Sequence, residues 1–209
     1  MTVESATVGT RRGEGPRRAQ AIFEATLELL ADKGYDGLTI EGVAERSGVN
    51  KTTIYRWWPS KAALLGAALV EAPLLGVDMP DTGSLRGDLE ALVRGVQALL
   101  TTRPTADVAV AALSAATRSP ELAGYTQAFF ADRLARERPI FERAVARGEV
   151  PADTDPTLLM DLLGGAVWLR IVFRQMPIED DFVPRAVSIV LDGLSPGRCT
   201  RCAPSHGSS

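Results

Sequence analysis

Apolar residues recur at helical spacing along almost the whole chain. In PRRAQAIFEATLELLADKG, from Pro16 to Gly34, the residues Ile22, Phe23, Thr26, Leu27, Leu29 and Leu30 share one broad face, and Gly34 supplies the stop. TIEGVAERSG predicts a second helix: Thr39 suits the N-cap, Ile40, Val43 and Ala44 share a face, and Gly48 ends it. A third helix follows Asn50. SKAALLGAALVEA makes a fourth, capped by Ser60 and halted near Pro73. Beyond a Pro-, Gly- and Asp-rich loop over 73–84, five more are predicted: Ser84 to Thr102, Pro104 to Thr117, Pro120 to Arg147, Asp155 to Arg174 and Glu179 to Leu194. No segment sustains the alternation of a strand, and no solenoid period repeats. The expected class is all-α, with about nine helices.

The stretch GVNKTTIYRWWPSK, residues 48–61, carries both charge and aromatic surface. On a helix capped by Asn50, Ile54 and Trp58 point inward, and Val49 packs on Ile54 as a hydrophobic staple. Lys51, Thr52, Tyr55 and Arg56 fill the opposite arc, with Thr53 and Trp57 beside the core edge. Ala44 permits a close helix crossing, Gly48 accepts a left-handed turn, and Val49 re-enters the core. Two short helices joined in this way form a helix-turn-helix, whose second helix enters the major groove of DNA. Lys51, Thr52 and Arg56 then face base edges and phosphates, and Tyr55 and Trp57 can donate to phosphates. Thr39 and Lys61 stand at helix N-termini, where unpaired N–H groups favour phosphate. A plain helical hairpin with a solvated cationic face has the same spacing.

GYDGLTIEGVAERSGVNKTTIYRWWPSKAALL resembles the N-terminal DNA-binding domain of the TetR family of bacterial transcriptional regulators. The Gly-Tyr after the first helix, the Thr opening the second, the Ala-x-x-x-Gly-Val turn, the Tyr of the third and the Pro-Ser-Lys before the fourth stand in register. The likeness covers roughly residues 17–70. The family more often has His or Tyr and then Phe where this chain has Trp57 and Trp58. The resemblance implies a double-stranded DNA operator as partner and a second, helical domain that senses a small-molecule effector and forms a homodimer. The expected organisation is an arm at 1–15, a three-helix DNA-binding domain at 16–61, an effector-binding and dimerisation domain at 62–195 and a tail at 196–209.

Charge agrees with that division. The net charge is −3, yet residues 1–61 hold nine Lys and Arg against eight Asp and Glu, so the acid excess lies wholly in the remainder. A hydrophobic fraction of 45% over 209 residues suffices for a sizeable core. No apolar run reads as long enough to cross a bilayer, and the polar, Arg-bearing start lacks a signal-peptide core, so a cytoplasmic, nucleoid-associated protein without a membrane partner is expected.

In the second part, the segment 155–174 is apolar nearly all round and interrupted by Gly164-Gly165, which close helix approach would offset. Val183, Ala186, Val187, Val190 and Leu191 make a second stripe. Two such helices from each of two subunits would build a four-helix interface, although packing within one subunit explains the stripes as well. Candidate effector contacts are Tyr125, Phe129, Met160, Trp168 and Phe173, with Arg133 or Arg170 as anchors, in a mostly apolar cavity. No catalytic constellation and no cofactor motif appears, so an enzyme is not expected. Cys199, Cys202 and His206 offer three ligand types in a Ser/Gly/Pro-rich tail, where a chance grouping outweighs a metal site or redox switch. The competing reading is a small-molecule- or metal-binding helical protein with a non-functional DNA-binding domain.

Overall fold

The computed structural model describes residues 18–194, within which nine α-helices and two short turns of tighter or wider helix make up the regular structure. They are α1 (Ala19–Gly37), α2 (Ile40–Ser47), α3 (Lys51–Trp57), α4 (Lys61–Glu71), α5 (Leu85–Thr101), α6 (Thr105–Ala116), α7 (Pro120–Ala146), α8 (Pro156–Trp168) and α9 (Phe182–Leu194). A 3₁₀ turn at Pro73–Leu75 follows α4, and a π-helical turn at Leu169–Phe173 ends α8. The fold is the expected all-α class, with an N-terminal helix-turn-helix unit and a C-terminal helical domain.

The sequence signals act where expected. Gly34 breaks α1 with φ 66°. Thr39, Asn50 and Ser60 accept, through their side-chain oxygens, the N–H groups of Gly42, Thr52 and Ala63. Each cap satisfies a donor that a helix start otherwise leaves unpaired, worth about 1 kcal/mol. The eighth predicted helix does not stay α-helical to Arg174. The Arg174 N–H reaches the Leu169 carbonyl at 2.9 Å and the Met176 N–H reaches that of Arg170 at 3.0 Å. This widened turn precedes Pro177, which has no N–H with which to continue a helix.

Two buried clusters organise the packing. The first joins α1–α4, through Ile22, Leu27, Leu30, Val43, Ile54 and Leu64, to Val108 and Ala115 of α6 and Leu122 of α7. Phe23 meets Trp58 edge to face, with ring centroids 5.3 Å apart. The second joins Leu89 and Leu92 of α5, Ile140 and Phe141 of α7, Leu163 and Val167 of α8, and Val183 and Val187 of α9. Each fully buried aliphatic side chain stabilises the fold by about 1.5–3 kcal/mol. The recognition unit therefore rests on α6 and α7 and is not an isolated module.

Two sequence expectations need correction. The segment Pro156–Phe173 is, by length and composition, apolar enough to span a bilayer, contrary to the sequence reading. Its apolarity has a local reason: Leu159, Leu163 and Val167 enter the second core, while Leu158, Leu162 and Leu169 face outward at about half exposure. Within the subunit no helix closes on Gly164 or Gly165, since a methyl group at either would meet nothing within 4 Å. They thin the wall of a cavity instead.

A polar staple fixes the loop between α4 and α5. Asp88, fully buried in the first turns of α5, accepts from the Thr82 N–H at 2.7 Å and the Thr82 hydroxyl at 2.8 Å. Arg143 of α7 lies 3.4 Å from the same carboxylate and donates to the Pro80 carbonyl at 2.7 Å. Loop, α5 and α7 are thus tied by one acid.

Candidate nucleic-acid interface and adjoining cavity

The turn between α2 and α3 is set by Gly48, which caps α2 in the left-handed region with φ 64°. Non-glycine residues there cost about 1–2 kcal/mol. Ile54 and Trp58 are buried, as their positions on the helix require. The opposite face carries Lys51, Thr52, Tyr55 and Arg56, all exposed, with Thr53 half-buried and Trp57 40% exposed. Among the described residues Arg56 has no ion pair, and Lys51 has only a long one, 3.9 Å to Glu41 with both side chains in solvent. Pairs of that kind contribute about 0–1 kcal/mol and yield readily to a stronger anion. Seven helical residues span about 10 Å, matching a major groove about 12 Å wide.

Thr39 and Lys61 flank this face differently. The Thr39 oxygen accepts from Gly42 N–H at 3.1 Å, which leaves its own hydroxyl proton free to donate outward. The Lys61 ammonium is folded back: it donates to the Tyr35 carbonyl at 2.8 Å and lies 4.3 Å from the centroid of the Tyr35 ring. Sequence spacing put Lys61 at the right helix start but could not show that a carbonyl within the subunit already holds its amine.

The same corner meets α7. The Ser60 hydroxyl donates to Glu121 at 2.9 Å while its oxygen caps α4, and Arg118 pairs with Asp36 across 3.4 Å. Burial pushes the Tyr35 and Tyr125 phenols above the usual range, and the nearby Glu121 charge adds to both shifts. Tyr125, predicted as an effector contact, sits here rather than in the cavity, its ring laid against Gly66 of α4. A methyl group at Gly66 would overlap the base of that ring, which no rotation of a flexible tip relieves. Gly66→Ala should therefore force α4 and α7 apart and cost about 1–3 kcal/mol. Thermal melts monitored by circular dichroism check this; an unchanged melting temperature would show that the helices part freely.

Between α4–α8 lies a cavity of about 520 Å³. Phe129, Met160, Trp168 and Phe173 line it as expected, and so does Arg133. Arg170 does not: its guanidinium holds Glu179, donates to the Pro177 carbonyl and stacks on Phe182. The walls are almost wholly apolar, contributed by residues such as Leu92, Val96 and Leu99. Sequence reasoning missed Glu137, one turn beyond Arg133 and only 9% exposed. Burial pushes its carboxyl up to about 7, against the lowering effect of the Arg133 charge. A lone Glu in an Arg- and Glu-rich helical segment gives no sequence signal of that burial.

Among the described residues no group of three His, Cys, Asp or Glu could hold a metal ion, and Cys199, Cys202 and His206 lie outside them.

Residues 22–68 match the model of the bacterial regulatory proteins of the tetR family, and residues 79–190 match the tetracyclin repressor-like C-terminal domain. The chain is 31% identical to the HTH-type transcriptional regulator AqdR of Rhodococcus erythropolis, over 86% of each sequence. It is 33% identical to the DNA-binding transcriptional repressor TetR of Mycobacteroides abscessus, over 85% of this chain and 93% of that one. The crystal structure of the TetR family transcription regulator SCO0332 shares 37% identity at a TM-score of 0.70, covering 86% of this chain and 98% of the other. These relatives are regulators of transcription, not enzymes. With both halves matched and the outward face of α3 in place, the chain belongs to the TetR family of DNA-binding transcriptional regulators.

Proposed function

We propose that the protein is a homodimeric repressor that binds a palindromic operator and is released by a small-molecule effector in the cavity. The observation that carries this reading is the face of α3: Lys51, Thr52, Tyr55 and Arg56 stand in solvent while Ile54 and Trp58 anchor the helix from behind. Two copies of α3 would enter successive major grooves about 34–36 Å apart. Thr39, Thr53, Trp57 and the N-terminus of α4 at Lys61 would grip phosphates on either side.

The dimer reading is supported by apolar surface on the last two helices. Leu158, Leu162 and Leu169 make one outward stripe, and Ile189 of α9 is 73% exposed. Exposed side chains of this kind, grouped on adjoining helices, favour a self-complementary interface. Leu162→Glu combined with Ile189→Glu should yield monomers in sedimentation velocity and remove most operator affinity, because each half-site alone is short. Dimers that persist in the double variant would place the interface elsewhere.

An effector would act by favouring one of two arrangements, and its leverage cannot exceed its difference in affinity between them. The direct test is electrophoretic mobility shift with the DNA flanking the gene, repeated across an effector library. Retardation at a palindrome, relieved by a compound that binds the cavity, is the expected result. A chain that binds compounds but no flanking DNA would instead be a helical binding protein with an idle recognition unit.

A further inference from the structure

Among the residues that line the cavity, drawn from α4–α8 and the segments after α4 and α8, only three carry charge: Arg133 and Glu137 of α7, and Asp161 of α8. Asp161 is exposed. Arg133 and Glu137 stand one helical turn apart, and so on the same face of α7. The Arg133 guanidinium donates to the Leu75 carbonyl and lies 4.9 Å from the centroid of the Phe129 ring, with no ion-pair partner among the described residues. Most of its five N–H donors are unused. Glu137 makes neither a hydrogen bond nor an ion pair among the described residues, though it is more than nine-tenths buried.

We propose that this site takes an amphipathic carboxylate, its apolar body among Leu92, Val96, Leu99 and Trp168 and its carboxylate held between Arg133 and Glu137. The inference rests on the reading of the cavity as the effector site. Three ligand charges were open to such a pocket. A cation would meet the fixed positive charge of Arg133 in an apolar surround, where repulsion is poorly screened. A neutral molecule would leave that desolvated cation uncompensated. An anion pairs with Arg133 through charge-assisted hydrogen bonds, and the protonated Glu137 carboxyl donates one more.

Linkage fixes the sign of the pH dependence. The free Glu137 carboxyl titrates at about 7, and a carboxylate beside it raises that value further. Binding therefore takes up a proton above pH 7 and none below it. Affinity is flat on the acid side and falls about tenfold per pH unit on the alkaline side. Of the other charges nearby, Asp132 and Arg136 lie on α7 itself, outside the cavity wall, and Asp161 of α8 lines the cavity from its exposed side.

Calorimetric titration of the full chain with dodecanoate, dodecanol and dodecylammonium, between about pH 6 and pH 9, tests the proposal. Dodecanoate should bind at least about tenfold more tightly than the other two at neutral pH. Its affinity should drop with rising pH as described. Glu137→Gln should abolish the pH slope while keeping the acid bound, because the amide still donates. Arg133→Gln should erase the preference for the acid. Tighter binding of the ammonium with affinity rising with pH, equal binding of all three, or no binding of dodecanoate would each overturn the assignment. The wild-type comparison needs no variant to fold. Because no DNA is present, failure here is distinct from failure of the operator reading, which mobility shift without ligand decides separately.

Discussion

Arg56→Ala should weaken operator binding by about 1–3 kcal/mol at each half-site, and thus by about 2–6 kcal/mol when both subunits carry the change. The two half-sites are far apart, so the losses should add. The expectation follows from placement. Arg56 stands in the last turn of a short helix whose far side is locked by Ile54 and Trp58, so its guanidinium projects from a rigid base with no ion pair among the described residues to break first. A bidentate contact to a guanine would also carry sequence information. Fluorescence anisotropy against the operator and against variants with single base changes should therefore show a relaxed preference at one position of each half-site. Lys51→Ala should act similarly at another position. Tyr55→Phe should weaken all sequences alike, as a lost phosphate contact does. If Arg56→Ala and Lys51→Ala both left affinity and preference intact, the assignment of α3 to the groove would be wrong.

Asp88→Ala should be the most destabilising single change described, at about 2–4 kcal/mol. Three donors converge on this fully buried carboxylate: the Thr82 N–H, the Thr82 hydroxyl and the Arg143 guanidinium. Removing the acid leaves the Thr82 N–H without its acceptor and takes one of two carboxylates from Arg143, which keeps Asp81 at 3.4 Å and the Pro80 carbonyl. Arg143 is about one-third exposed, so water recovers part of the loss and the full cost of an orphaned buried charge does not apply. Asp88→Asn should cost less, since an amide oxygen can still accept from Thr82. Chemical denaturation at constant slope measures both; equal stability of the Asp88→Ala variant and the wild type would mean that the loop holds without this staple.

Much of the helix-turn-helix was legible because its rules are local. Thr39, Asn50 and Ser60 cap helices through bonds spanning two or three residues, and Gly48 adopts its left-handed turn where a small residue stands between two apolar runs. The inward placement of Ile54 and Trp58 follows from helical period alone. What remained hidden depends on contacts across tens of residues. Lys61 reaches Tyr35, Tyr125 packs on Gly66, and Arg143 meets Asp88, each pair brought together only by tertiary packing. The cavity was half legible for the same reason. Aromatic and sulfur side chains suggested an apolar pocket, whereas the placing of Arg133 inside it and Arg170 outside it depends on where Leu75 and Glu179 come to lie. Gly164 and Gly165 show the converse. A glycine pair in a helix has one composition and two physical uses, and only the neighbours distinguish them.

Helix α7 runs 27 residues from Pro120 to Ala146, and its interior proline, Pro139, lies beyond Glu137. Sixteen residues of rise, about 24 Å, separate Glu121 at the Ser60 corner from Glu137 at the cavity. On a lever of that length a tilt of about 5° carries the far tip about 2 Å. That exceeds what a 2.9 Å hydrogen bond to Ser60 can follow. Under the proposed effector reading, a molecule bound beside Glu137 would need to tilt α7 by only these few degrees to unseat the Ser60 corner on which the recognition unit leans.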